Sequence, residues 1–99
     1  MTRIELSADV IDDFDRILEH LRQHESADGS GRIEGIVQAI DVLHDNPNIG
    51  RPVGDGLREL VIGRDTRGYV ALYRYLVEWD LVTVLAVRSQ REAGYVRSL

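Results

Sequence analysis

Four side chains in the second half of the sequence are of types that could handle an anion: Arg74, Arg88, Arg91 and Tyr95. Guanidinium groups are permanently charged, forked donors, so a cluster of them suits a carboxylate, a partner's backbone carbonyls or a phosphate. Arg88 and Arg91 could instead pair with Glu59 or Glu92 as ordinary surface ions. A lone tyrosine, with a reference pKa of about 10, needs assistance before it can serve as a base. Tyr69, Tyr73, Tyr75 and Trp79 form a second concentration of chemistry. Aromatic rings beside an arginine are typical anchors of a protein interface. The same rings could also form a small second core or a homodimer seam.

Other constellations lead away from chemistry. His20 and His24 stand at i and i+4, a spacing that can hold a metal on one helix face, but neither Asp nor Glu completes a zincin-like motif, and no metal site is expected. Asp12, Asp13, Asp15 and Glu19 fall on the polar side of an amphipathic pattern and read as a solvated face. Gly54-Asp55-Gly56 and Gly29-Ser30-Gly31 lack the length and the Lys-Ser/Thr of a phosphate loop, so they read as turns. Ser89 has no His/Asp framework around it. The chain has no cysteine, which removes disulfides, thiolate metal sites and a cysteine nucleophile. All 12 basic residues are arginine, which removes lysine Schiff-base chemistry. No cofactor is expected.

The elements that must position these residues follow from apolar spacing. Arg3-Ile4-Glu5-Leu6 alternates as a half-buried strand, and Ser7 offers a helix N-cap with Asp9 in the first turn. Val10, Ile11, Phe14, Ile17, Leu18 and Leu21 then mark one stripe of a helix. Residues 24–31 read as a polar turn. Ile33, Ile36, Val37, Ile40 and Leu43 mark a second helix, ended before Pro47. Residues 46–56, with both prolines, read as a loop. Leu57 to Ile62, Tyr69 to Tyr75 and Leu81 to Val87 are β-rich runs spaced for an antiparallel meander. The order implies an α+β fold: an N-terminal strand and a two-helix hairpin packed on one face of a mainly antiparallel sheet of about four strands. The first strand can lie parallel to a later one because the helices supply a long crossover.

Ninety-nine residues suit one domain, spanning 1–99, and a 43% hydrophobic content suits a folded one. Residues 1–50 carry four arginines against eleven carboxylates, a balance of −7, and residues 51–99 carry eight against six, a balance of +2. An acidic chain lacks the dense basic surface that non-specific nucleic-acid binding requires, so no direct specific nucleic-acid binding is expected. Neither a signal-like leader nor a membrane span is visible, and a cytoplasmic location is expected.

Three stretches carry a family resemblance: Leu57-Arg58-Glu59-Leu60-Val61-Ile62, Gly68-Tyr69-Val70-Ala71-Leu72-Tyr73-Arg74-Tyr75, and Val84 through Arg88 to Tyr95. With the element order, they resemble the RelE/ParE superfamily of toxins from bacterial toxin-antitoxin modules. The resemblance implies a toxin component of a type II, plasmid-stabilising system, neutralised by a ParD- or RelB-like antitoxin, as a homodimer or a toxin-antitoxin hetero-oligomer. It also implies two alternative activities, with an inactive homologue that retains only antitoxin binding as a further reading. RelE-like members are ribosome-dependent mRNA endoribonucleases, and Arg74, Arg88, Arg91 and Tyr95 would be the catalytic set. ParE-like members act on DNA gyrase, and Tyr69, Tyr73, Arg74, Tyr75, Trp79, Arg88, Arg91 and Tyr95 would bind antitoxin or target. Val70, Glu59 and Val61 stand where ribonucleolytic relatives place basic residues, and phosphate binding needs positive charge there. The departures favour the ParE-like subgroup, acting by binding rather than by an active site of its own.

Overall fold

The computed structural model describes residues 1–24, 29–63, 68–92 and 94–95, with residues 24, 29 and 30 described by their backbone alone. Residues 25–28 of the expected polar turn, residues 64–67 of the connection before Gly68, residue 93 of the C-terminal motif and the side chain of His24 lie outside the described residues. Strand β1 (Arg3–Leu6) leads into helix α1 (Ala8–His24), then α2 (Gly29–Ile40) and a 3-10 turn, Asp41–His44. Strands β2 (Arg51–Gly54), β3 (Leu57–Ile62), β4 (Tyr69–Leu76) and β5 (Leu81–Ser89) follow, with a second 3-10 turn, Val77–Trp79, between the last two. The sheet order is β1-β5-β4-β3-β2. Among the described residues only the β1–β5 pair is parallel, Ile4 facing Val82, because the helical hairpin carries the chain back across the sheet before β2.

The α+β architecture matches the sequence expectation, with two refinements. The sheet has five strands, since β2 lies inside the segment read as a loop. Pro52 and Gly54 mask it, yet an edge strand tolerates proline because one side of its backbone pairs with nothing. The β2–β3 connection is sharp: Gly54, Asp55 and Gly56 all hold positive φ, at 97°, 55° and 76°. Helix α2 also starts earlier than its apolar stripe, at Gly29. Gly29 and Ser30 there occupy a helix start, where weak helix formers cost least.

Both helices cover one face. Val10, Ile17 and Leu21 of α1, Ile36 and Ile40 of α2 and Leu43 are buried against Tyr69, Ala71, Tyr73, Val82, Val84 and Val87. Each such aliphatic side chain contributes about 1.5–3 kcal/mol on full burial. Ile11 lies at the margin of the α1 stripe and remains exposed. Along β5 the phase of burial changes: Leu72 faces Ala86 but Tyr73 faces Val84, so Leu85 is an extra, bulged residue. The bulge lets Val82, Val84 and Val87 all reach the core, and it turns Arg88 onto the face away from the helices. Among the described residues, no helix is long and apolar enough to cross a membrane.

Candidate functional site

Strand β5 outruns its parallel neighbour. β1 pairs only with Leu81 to Val84, which leaves backbone groups from Leu85 to Ser89 facing an edge. Side chains take the place of the missing strand there. Ser7 Oγ donates to the Leu85 carbonyl at 3.3 Å, Asp13 Oδ2 accepts from Val87 N–H at 2.9 Å, Arg16 Nη2 donates to the Val87 carbonyl at 3.2 Å, and Glu92 Oε2 accepts from Ser89 N–H at 2.7 Å. Arg16 joins the two acids, with Nη1 2.8 Å from Asp13 and Nε 2.9 Å from Glu92. Burial works against the charge on Arg16, and the bonds to Glu92 and Asp13 outweigh it and raise its pKa.

Asp13 therefore corrects the expectation of a wholly solvated acidic face: it is 1% exposed and closes a sheet edge. Its spacing held the clue, since position 13 is three residues from Val10 and four from Ile17, in phase with the buried stripe. Glu92, considered a partner for Arg88 or Arg91, pairs through its carboxylate with Arg16.

A second network lies on the sheet face opposite the helices. Glu59, 8% exposed, accepts from Arg51 Nη2 at 2.8 Å and from the Tyr95 hydroxyl at 2.6 Å. Arg88 lies with its guanidinium carbon 5.1 Å from the centre of the Tyr95 ring, a cation–π distance, and Nη1 donates to the carbonyls of Ser89 and Glu92. Burial opposes ionisation of Glu59, but hydrogen bonds from Tyr95 and Arg51 and the charges of Arg51 and Arg88 prevail and hold it below the usual carboxylate range. Tyr95 moves the other way. Burial and donation to Glu59 push its pKa well up, so it stays protonated at neutral pH.

The remaining candidates separate by place. Arg88 faces Val70 across the ladder and Arg74 faces Thr83. Four residue steps along β4, from Val70 to Arg74, separate the two, about 13 Å at the usual rise per strand residue. Arg74 Nη1 reaches the Asp55 carbonyl at 3.0 Å, at the far end of the sheet. Arg91 is exposed in the turn after β5. Tyr69 is buried, with its hydroxyl 3.4 Å from Arg32. Tyr73 is 0% exposed, donating to the Pro47 carbonyl at 2.8 Å and accepting from Gly50 N–H at 2.9 Å. Burial, opposed by the Gly50 bond, raises its pKa. Tyr73 thus builds the core and braces the loop before β2.

Tyr75 and Trp79 belong to the β4–β5 tip. Asp80, in the left-handed region at φ 45°, accepts the Tyr75 hydroxyl at 2.8 Å and the Thr2 hydroxyl at 2.7 Å. Bonds from Thr2 and Tyr75 lower the Asp80 pKa, and the bond to Asp80 raises that of Tyr75. On this braced turn Val77 and Trp79 stand 71% and 72% exposed. Sequence reasoning missed Asp13, Arg16, Arg51, Gly50 and Asp80; all but Arg51 have a partner more than 20 residues away in the chain, and the partner of Arg51 lies across a hairpin the sequence did not announce. Among the described residues no group of three His, Asp or Glu is placed to hold a metal ion.

A two-helix cover on a five-stranded sheet with one parallel edge pair is the fold of the RelE/ParE toxins. It is similar to the chromosomal ParDE toxin-antitoxin system of P. aeruginosa, with a TM-score of 0.72 and 22% identity over 90% of this chain and 96% of that one. It is similar also to the intact E. coli RelBE complex, with a TM-score of 0.64 and 14% identity over 93% and 100% of the two chains. The isolated E. coli RelE toxin gives a TM-score of 0.63 and 14% identity over 99% and 88%. At these identities the likeness is one of fold. No curated protein matches the chain by sequence. Residues 4–94 match the family described as the ParE toxin of the type II toxin-antitoxin system parDE, and the chain belongs to that family.

Proposed function

We propose that this toxin is held inactive by a cognate ParD-like antitoxin and, when free, arrests growth in the cytoplasm by binding DNA gyrase rather than by cleaving RNA. One observation carries the preference: the four residues that would form a nuclease site do not gather in one place, since Arg74 stands apart from the Arg88–Tyr95 pair. Arg74 lies about 13 Å along the strand from the position of Arg88, and Tyr95, protonated and committed to Glu59, is a poor base. Glu59 further places a carboxylate where a phosphate would need cations. The assignment of gyrase as the target rests on family analogy.

The antitoxin fits the outer side of the helical hairpin, where Ile11 and Val37 remain exposed beside half-buried Phe14, Leu18 and Ile33. An amphipathic segment can lay its apolar side along such a stripe. The deciding measurement sets gyrase supercoiling against ribosome-dependent mRNA cleavage, both with purified chain. Inhibition of supercoiling that added antitoxin reverses is the expected result, and cleavage without inhibition would reverse the assignment.

A further inference from the structure

We infer that the β4–β5 tip and the groove beside it form the surface that grips the target protein, separate from the antitoxin surface on the helices, and that the groove takes an extended segment in which an apolar side chain adjoins a single carboxylate. The inference rests on the proposal that the toxin acts by protein contact.

The groove, about 320 Å³, lies between the β2–β3 hairpin and the second 3-10 turn, and Pro52, Leu57, Arg58, Tyr75 and Val77 line it. Val77 of its wall shares a 3-10 turn with Trp79, and among the described residues the two are among the most exposed large apolar side chains. Such residues normally stand exposed singly, and two of them on one short turn beside a groove mark an interaction surface. The turn carrying them is already ordered by Asp80, Tyr75 and Thr2, and Arg3 N–H donates to the Asp80 carbonyl at 3.1 Å. An aromatic anchor carried on a backbone already ordered loses less entropy on docking than one on a loose loop.

The charge at the rim defines the occupant. Arg58 lines the groove and donates to the carbonyls of Asn48 and Gly50 at 3.0 and 2.7 Å. Arg74 flanks it, since a Cβ on Gly56, another lining residue, would stand 3.0 Å from Arg74 Nη1. Among the described residues neither guanidinium has a carboxylate partner, whereas Arg16 and Arg51 do. Asp80 is already bound to Tyr75 and Thr2. Two cations bonded to neutral carbonyls retain the capacity to pair with an incoming carboxylate. Exposed Asp55 and Glu78 nearby repel a polyanion, which limits the partner to an isolated acid beside an apolar residue and disfavours nucleic acid.

Trp79 is the single tryptophan of the chain, so 5-fluorotryptophan labels this surface alone. The fluorine resonance of the folded toxin is to be followed while gyrase, and separately the antitoxin, is added. In parallel, Val77→Ser/Trp79→Ala and Arg74→Glu are compared with wild type for inhibition of supercoiling and for antitoxin affinity. The expected results are a shifted or broadened resonance with gyrase and an unchanged one with antitoxin. Inhibition should weaken about tenfold or more in each variant, with antitoxin affinity held within about twofold, as for loss of an interface anchor. Wild-type inhibition by the double variant overturns the site, and wild-type inhibition by Arg74→Glu overturns the acidic character of the segment. Antitoxin affinity falling alongside inhibition overturns the separation of the two surfaces. Absence of inhibition by the wild-type toxin itself defeats the gyrase reading, and this inference with it.

Discussion

The two ends of the sheet use charged and aromatic residues in opposite ways. At the end where β5 overhangs β1, Asp13, Arg16 and Glu92 satisfy one another and the strand edge; across the sheet Glu59 takes the bonds of Arg51 and Tyr95, and Arg88 lies over the Tyr95 ring with its buried Nε unpaired among the described residues. At the β4–β5 tip, Arg58 and Arg74 bond only carbonyls among the described residues, and Val77 and Trp79 face solvent. The richer display of ionisable groups is therefore the structural end. Charge committed internally stabilises a fold, and surface left uncommitted on a rigid support is available to a partner. Substitutions should separate the ends by size and kind of effect.

The largest loss is expected at the satisfied end. Asp13→Ala removes the acceptor of Val87 N–H and leaves Arg16 short of a partner where Asp13 was 1% exposed. Breaking a buried pair from one side costs about 3–5 kcal/mol, and Arg16 keeps Glu92, so about 3 kcal/mol is expected in urea unfolding. A cost below about 1 kcal/mol, the size of a surface ion pair, would place Asp13 among ordinary helix charges and dissolve the contrast.

Gly50 probes the border between the two ends. A Cβ there would meet Tyr73 Cε1 at 2.6 Å and the Glu59 carbonyl at 2.9 Å, so Gly50→Ala must push the ring out of its slot or move the loop. Overpacking of this kind costs about 1–3 kcal/mol. Tyr73→Phe, which keeps the ring but leaves Gly50 N–H and the Pro47 carbonyl without their partner, should cost about 1–2 kcal/mol. If Gly50→Ala costs nothing while Tyr73→Phe still does, the loop moves independently of the ring and the border is soft.

Much of this was legible in the sequence, and the part that was not has a common cause. The stripe from Val10 to Leu21 and the strand runs from Leu57 onward announced themselves because period 3.6 and period 2 are local properties of the chain. β2 stayed hidden because Pro52 and Gly54 argue against a strand wherever both sides must pair, and only the sheet order reveals that one side need not. Asp13 and Arg88 depend on events farther off. The partner of Asp13 is 74 residues away, and the outward direction of Arg88 follows from a bulge at Leu85 that no spacing rule locates. Tyr73 and Trp79, read as one aromatic group, turned out to differ completely in exposure because one points into the slot at Gly50 and the other sits on a turn beyond the strand.

Titration should show the satisfied end from two directions. Glu59 has a folded-state pKa below its ordinary 4.5, so the stability it confers is complete above about that pH and is lost as pH falls through the folded value. Tyr95 is raised above its ordinary 10.0, so its contribution is complete below that pH and is lost as pH rises beyond it. Glu59→Gln should flatten the acid limb of unfolding free energy against pH, and Tyr95→Phe the alkaline limb. Unchanged limbs in both variants would mean that the Glu59–Tyr95 bond adds nothing to the fold, and would weaken the case that Tyr95 is held away from chemistry.

The smallest effect belongs to the tip and is the sharpest test of the comparison. Trp79→Ala removes the largest side chain type from a site that is 72% exposed and leaves the bonds of Asp80 to Tyr75 and Thr2 in place. Surface substitutions away from caps, cores and networks change stability by within about 0.5 kcal/mol, and that is the expectation for Trp79→Ala in urea or thermal unfolding. A ring kept exposed at no gain to the fold points to a role in binding. If Trp79→Ala instead costs as much as Tyr73→Phe, the indole is packing on the chain itself in solution, the tip is a second small core, and the difference between the two ends of the sheet is one of degree.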